Sequence, residues 1–319
     1  MEGQNVTIAT PEADRSAPEP EVLRADGNPS TRPHRMLTIH AHPDDETSKG
    51  GGSIGRYAEA GVGMVLICCT GGEAGSVLNP ALDRPEVLAR IPELRRQELS
   101  VATTHLGYHR VWMLGYRDSN MPASGDPDSF AAAPLEETVR ALVRLIRRER
   151  PHVMVTYPNN QRGYQHPDHI RVHDASLPAY QASGDPSFHP ELGDPWAPQK
   201  LYYIQWSRAR LIDRHQAFMD QGLESPFKTE RWKRNTSMDY RLTSKIFVGD
   251  QWDQVQAALL AHATQVDPNS KHWFGLPPDV DRVTYPYDDY ILAHSAVPTR
   301  LPEDNLFSGV VGDDGSQVT

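Results

Sequence analysis

The stretch 35-RMLTIHAHPDDE-46 sets an apolar run directly against His40, His42, Asp44, Asp45 and Glu46. A short apolar segment that ends in so much titratable chemistry reads as a buried strand feeding a site beyond its carboxyl end. Working outward, VGMVLICCT (62–70) is a second strand, near-continuously apolar as a strand covered on both faces must be. RVWML (110–114) and HVMVTY (152–157) are the third and fourth. Between them lie three helical segments, KGGGSIGRYAEAG (49–61), IPELRRQELSVATTHLG (91–107) and PLEETVRALVRLIRRERP (134–151). The first two close on glycine; the third runs from Pro and Glu to arginines, as the helix dipole favours. Strands and helices alternating over such short connections predict an α/β fold: a doubly wound, mostly parallel sheet with helices on both faces. Ligands bind such sheets beyond the carboxyl ends of the strands. Each chemically suggestive segment here follows a strand: HPDD, then GGEAGS (71–76), GYRDSN (115–120) and PNNQRGYQHPDH (158–169).

Residues 1–34 are rich in Pro, Glu, Ala and Ser without an apolar period, which predicts a disordered N-terminal extension. Residues 35–183 form the expected catalytic core. The texture changes beyond 184, through GDPSFHPELGDPWAP, KLYYIQW and the helical RARLIDRHQAFMDQG and QWDQVQAALLAHATQ. We read 184–319 as a C-terminal part that completes the core and shapes the substrate crevice.

The 319 residues are 38% hydrophobic and 23% charged with a net charge of -10, a composition that favours neither nucleic acid nor a membrane as partner. No apolar run approaches the roughly 18 residues of a membrane span. The two cysteines, Cys68 and Cys69, are neighbours in a strand, point to opposite faces and read as buried small hydrophobes. Without a disulfide framework the expected location is the cytoplasm. Homo-oligomerisation stays open.

His42 and Asp45 stand three apart across a proline, and His166 and His169 repeat that spacing at another strand end. Together they offer the two or three nitrogen and oxygen donors of a catalytic metal site that keeps a position open. Imidazole donors suit Zn2+ or Fe2+ better than magnesium. His173, four residues after His169, is the competing ligand, because that spacing puts two imidazoles on one helix face. With His42, Asp45 and His169 on the metal, Asp44 is left as a general base for an attacking water. His166, held by Asp168, then serves to stabilise an oxyanion and protonate a leaving amine, with Tyr164 as a further donor to the oxyanion. These parts describe hydrolysis of an amide. GGEAGS lacks the spacing of a phosphate loop, and no G-x-S-x-G elbow is present.

With HPDDE, TGGE, RDS and HPDH in this order, the chain resembles the PIG-L/LmbE-like family of zinc-dependent deacetylases and amidases acting on N-acylated glucosamine. The resemblance spans residues 36 to 310 and implies a Rossmann-like sheet, zinc on His42, Asp45 and His169, and Asp44 as base. It also implies His166 as acid, tuned by Asp168, and Tyr164 at the oxyanion, and it decides against His173. Within the family, DETSKGG and ALLAHATQVDPN are most similar to amidases that release glucosaminyl-inositol from a cysteinyl S-conjugate. Lys49 matches their lysine, and Arg95 and Asp118 match positions that hold the inositol. Ser76 departs from the pattern, because both branches of relatives carry a glutamate there. That leaves room for a specialised-metabolite amidase. The alternatives are an N-acetylglucosaminyl-inositol deacetylase, an amino-sugar deacylase or, from another class, a noncatalytic sugar-binding protein.

Overall fold

The computed structural model describes residues 17–121, 123–161, 164–230, 232 and 237–318. In chain order it runs through β1 (Glu21–Ala25), β2 (Arg35–His40), α1 (Asp45–Ser48), α2 (Gly51–Glu59), β3 (Gly63–Thr70), α3 (Pro85–Leu88) and α4 (Ile91–Leu106). There follow β4 (Arg110–Tyr116), α5 (Leu135–Glu149), β5 (Val153–Thr156), α6 (Pro167–Ala182), β6 (Lys200–Ile204) and α7 (Arg208–Asp220). Last come β7 (Ser244–Phe247), α8 (Trp252–Ala261), two short helices at Lys271–Phe274 and Pro278–Thr284, and β8 (Tyr287–Ser295).

The strands make one eight-stranded sheet in the order β1-β4-β3-β2-β5-β6-β8-β7. The inner run β4-β3-β2-β5-β6 is parallel, and β1, β8 and β7 pair antiparallel at the two margins. Every residue of β2, β3 and β5 is buried, which explains their largely apolar spelling. Helices α2, α4 and α8 pack together, as do α5 and α6. Fully buried Leu37, Ile39, Leu66 and Ile67 tie the sheet to these helices, each contributing about 1.5–3 kcal/mol by leaving water. α5 carries Glu136 and Glu137 in its first turn and Arg147 and Arg148 in its last. Among the described residues no helix is long and apolar enough to cross a membrane, and both cysteines are free and buried.

The N-terminal extension is shorter than its composition suggests. Glu21–Ala25 pairs with β4, with Glu21 opposite Met113 and Ala25 opposite Arg110, and Arg24 donates to the Tyr108 carbonyl at 2.9 Å. An edge strand this exposed needs no apolar alternation, so composition alone could not separate it from a coil. Residues 1–16 lie outside the described residues. From Lys200 onward the chain adds β6, β8 and β7 to the same sheet.

The chain order reverses between β2 and β5, since β3 and β4 lie on one side of β2 while β5 and β6 lie on the other. That gap is the topological switch point where such sheets hold ligands. HPDDE leaves β2 there, and HPDH follows β5.

Candidate metal centre and active site

The turn after β2 is fastened on both sides. The Ala41 carbonyl accepts from Thr70 N at 2.9 Å, and the Ala41 N–H donates to the Tyr157 hydroxyl at 3.1 Å. Within it, Asp45 Oδ2 accepts the His42 N–H at 3.0 Å and lies 3.4 Å from His42 Nδ1 and 3.2 Å from His169 Nε2. His169 sits in the first turn of α6 with its ring stacked on Tyr157, centroids 4.5 Å apart. Its Nδ1 meets Gln161 Oε1 at 2.9 Å, so Nδ1 carries the proton and Nε2 keeps its lone pair. That Nε2 is buried without a hydrogen-bond partner. Burial lowers the His169 pKa to about 4, which keeps the imidazole neutral as a ligand must be.

A divalent cation fits this arrangement. Tetrahedral bonds of about 2.0–2.2 Å place neighbouring donors roughly 3.3–3.5 Å apart, close to the two spacings seen here. The His42 ring is oriented in the same way, by a partner on its outer nitrogen, although its titration is shifted in the opposite direction. Its outer nitrogen, Nε2, faces Asp168 Oδ2 at 3.1 Å and Asp118 Oδ1 at 3.6 Å, which orients the ring and leaves Nδ1 toward Asp45. Burial alone would lower the His42 pKa, but Asp118, Asp168 and Asp45 hold it well above the usual range. So many carboxylates around one imidazole make a negative locus that a cation would neutralise.

The two adjacent aspartates are used differently. Asp45 is 4% exposed, pairs with Lys49 through Oδ1, and is held well below the usual carboxylate range by His169 and Lys49 against the effect of burial. Asp44 is 30% exposed, and burial raises its pKa while Arg95 opposes. Its backbone lies at φ 110°, a conformation non-glycine residues avoid and that surrounding contacts must enforce. The carboxylate left open beside the donor triad is Asp44.

His166 caps α6: its Nδ1 accepts the Asp168 N–H at 3.2 Å, which leaves the ring proton on Nε2. The Asp168 carboxylate lies 3.9 Å from His166 Nδ1 and is spent mainly on His42 and on the N–H and hydroxyl of Ser119. Tyr164 is half exposed beside the His166 and His169 rings. Its phenol is pushed up to about 12 by burial and by Asp45, so it stays a proton donor. His173 is turned away, its Nδ1 on the Tyr157 carbonyl at 2.9 Å and its ring against Tyr203.

The chain is similar to several known proteins. The family model described as GlcNAc-PI de-N-acetylase, PIG-L, matches residues 37–180. Mycothiol S-conjugate amidase from Streptomyces coelicolor is 40% identical over 288 residues, covering 86% of this chain and 97% of its own. The chain belongs to the PIG-L family. The 1D-myo-inositol 2-acetamido-2-deoxy-alpha-D-glucopyranoside deacetylase of Geodermatophilus obscurus is 34% identical over 88% of this chain and all of its own length, 100%. Among solved structures, N,N'-diacetylchitobiose deacetylase from Pyrococcus horikoshii superposes with a TM-score of 0.58 at 16% identity, covering 83% of this chain and 85% of that one. At such identity the likeness concerns the fold.

The remaining residues of the PIG-L motifs fall into place around the triad. Arg95, expected at an inositol, is 3% exposed and turned inward. Its guanidinium donates to the carbonyls of Pro43 and Gly72 and, at 3.1 Å, to Asp44 Oδ2. Gly72, at φ 65°, lets it pass, because a Cβ there would collide with the guanidinium. The Asp118 side chain, expected at the same inositol, is 4% exposed against His42, and its N–H is held by Glu73 Oε1 at 2.9 Å. Both side chains answer buried partners that sequence order does not reveal. Lys49, expected to meet an acyl group, is bound to Asp45 over the Tyr157 ring. Ser76 is exposed on the loop after β3, its carbonyl held by Gln265. Ser119, Gln161 and Tyr157 escaped the sequence reading and Glu46 was given no role in it; their signal was only that they sit in, or at the strand end before, the same post-strand segments.

One residue out from the triad lies a cavity of about 480 Å3 lined by Lys49, Tyr157, Gln161, Tyr164, Trp206 and Trp273 among others; His42, Asp44, Asp45, His166 and His169 are not in its wall. Its inner wall is thus made of groups that touch the candidate ligands. Its outer wall comes from the C-terminal part, where Trp206 is pinned to the Ser48 carbonyl at 3.0 Å and stacks on His272.

Proposed function

We propose that this protein is a zinc-dependent amidase that hydrolyses the amide between a cysteinyl S-conjugate and glucosaminyl-inositol, in the manner of mycothiol S-conjugate amidase. Hydrolysis of an amide C–N bond is the chemistry of its family. The observation that carries the finer reading is the aromatic cavity of about 480 Å3 bordered by Lys49, Tyr157, Gln161 and Tyr164, the residues packed on the donor triad. That is space for a bulky acyl group, within the range of small-molecule sites and far beyond what an acetyl group needs. The end-to-end similarity to the Streptomyces coelicolor amidase supports it.

In this reading His42, Asp45 and His169 hold the metal, with ferrous iron as the other ion such donors suit. Zinc bound there would polarise the substrate carbonyl. Asp44 takes the proton of the attacking water, a role usually worth about 10²–10⁴-fold. Tyr164 donates its hydroxyl to the developing oxyanion. Asp44 then returns that proton to the departing amine, while His166, neutral with its proton on Nε2, donates a hydrogen bond that stabilises the oxyanion, and Asp168 fixes the His42 ring. Ser76 leaves the sugar side without a charged acceptor, so specificity rests on the conjugate side and a specialised-metabolite role fits the same chemistry.

The test is a comparison of kcat/KM for the bimane conjugate of mycothiol and for N-acetylglucosaminyl-inositol. We expect the conjugate to be preferred by about tenfold or more. The opposite preference would make the protein a deacetylase like its Geodermatophilus obscurus relative. No zinc-dependent turnover of either would leave sugar binding as its role.

A further inference from the structure

Two motif residues have no part in the chemistry above: Glu46, the last letter of HPDDE, and His262, in the segment ALLAHATQ. They meet in the interior. His262 Nε2 lies 2.7 Å from Glu46 Oε1 across 216 residues of chain, and both side chains are fully buried. Glu46 Oε1 also accepts from the Thr47 hydroxyl at 2.6 Å. Its other oxygen, Oε2, accepts the backbone N–H of Asp44 at 2.9 Å.

That last bond matters because Asp44 is the residue held at φ 110°. Such a backbone is disfavoured for a residue with a side chain and persists only where its surroundings over-determine it. Arg95 grips the Asp44 carboxylate, and Glu46 grips its N–H. Glu46 in turn is a buried carboxylate, tolerable only with a partner, and His262 is that partner. The neighbours of His262 brace the same region: Thr264 binds Glu98 of α4 through its N–H and hydroxyl, and Gln265 holds the Ser76 carbonyl. α4 is the helix that carries Arg95.

We propose that the buried Glu46–His262 pair is the positioning device for the general base, clamping the strained Asp44 backbone so that its carboxylate stays poised beside the donor triad. Glu46 and His262 are positioning residues that touch no substrate. The inference rests on Asp44 as the base, and its test separates the two.

On the metal-loaded full chain, Glu46→Ala and His262→Ala should lower kcat about 10–100-fold, the usual effect of supporting groups, with KM and metal content unchanged. Glu46→Gln should recover most of that loss, because its amide oxygen still accepts the Asp44 N–H. In an Asp44→Ala background, His262→Ala should add no further loss, since groups acting through one residue are not additive. Hydrogen exchange at the Asp44 amide, read without substrate, should quicken in Glu46→Ala and stay slow in Glu46→Gln. Unchanged exchange in Glu46→Ala, loss of metal, or additive losses would each overturn the clamp. If an alanine variant does not fold, Glu46→Gln decides: fast exchange at Asp44, or a kcat collapse with slow exchange, defeats the proposal. Full turnover by Asp44→Ala would instead overturn the base assignment while the exchange result still reads the clamp.

Discussion

The two strand ends that supply the donors are spelled almost alike, HPDD at 42–45 and HPDH at 166–169, yet they fold differently. In the second, His166 is an ordinary cap at φ -69°, Pro167 opens the helix, and a 16-residue α6 carries Asp168 and His169 in its first turn. In the first, the cap is Asp44 at φ 110°, and the helix behind it, α1, has four residues. The fourth letter, Asp45 or His169, points to the triad in both. The third letter diverges: Asp168 is buried to orient His42, whereas Asp44 is thrown outward, open and strained. A long helix absorbs its first turn into regular hydrogen bonding. A single turn leaves one residue free to take a left-handed backbone, and Asp44, the carboxylate proposed as the base, is placed there.

The largest effect should come from the fourth letter, the one place where the two words are spelled differently yet point to the same triad. Asp45→Ala and His169→Ala should each strip the chain of about one divalent metal and abolish turnover. Elemental analysis after gel filtration checks this. Full occupancy in either variant would mean that the other donor group around His42, with Asp118, His166 and Asp168, holds the ion.

The third letter should separate the words. Asp44→Ala should keep its metal and lose about 10²–10⁴-fold in kcat. Asp168→Asn should weaken metal affinity or activity by about 10–100-fold, as outer partners of ligating histidines do. Matching losses of kcat at full metal occupancy would mean that the two aspartates do the same job.

The smallest effect concerns the backbone alone. At residue 44, glycine should melt above alanine by about 1 kcal/mol, because glycine adopts positive φ without strain. At residue 168 the order should reverse by about 0.5–1 kcal/mol, since glycine weakens a helix. For a chain of 319 residues each difference is about 1–2 °C in Tm, within reach of calorimetry. Glycine melting below alanine at residue 44 would remove strain from the account of Asp44.

The parallel half of the sheet and the donor triad are readable in the sequence because their signals are local. β2, β3 and β5 are largely apolar runs buried on both faces, α5 begins with acids and ends with arginines, and each candidate ligand sits three residues after a histidine-proline start or opens it. What escapes reading depends on partners far along the chain. β1 has no pattern of its own and is ordered only by β4. Arg95 looks like a free cation on an amphipathic helix until Pro43, Gly72 and Asp44 close around it. Nothing in HPDDE spells the sign of φ at Asp44. Nor does it spell the approach of a histidine 216 residues away.

The placement of β5 beside β2 has a consequence in time. His42 and Asp168 stand 126 residues apart in the chain. At a synthesis rate of about 5–20 residues per second, the second half of the centre follows the first by roughly 6–25 seconds. Throughout that interval β2 can pair with β3 but offers its other edge to whatever passes, and His42 and Asp45 wait on the ribosome without His169. If the proposed triad takes a metal, its capture is therefore an event of the finished sheet, and the largely apolar run at 35–40 is the segment a chaperone would have reason to hold.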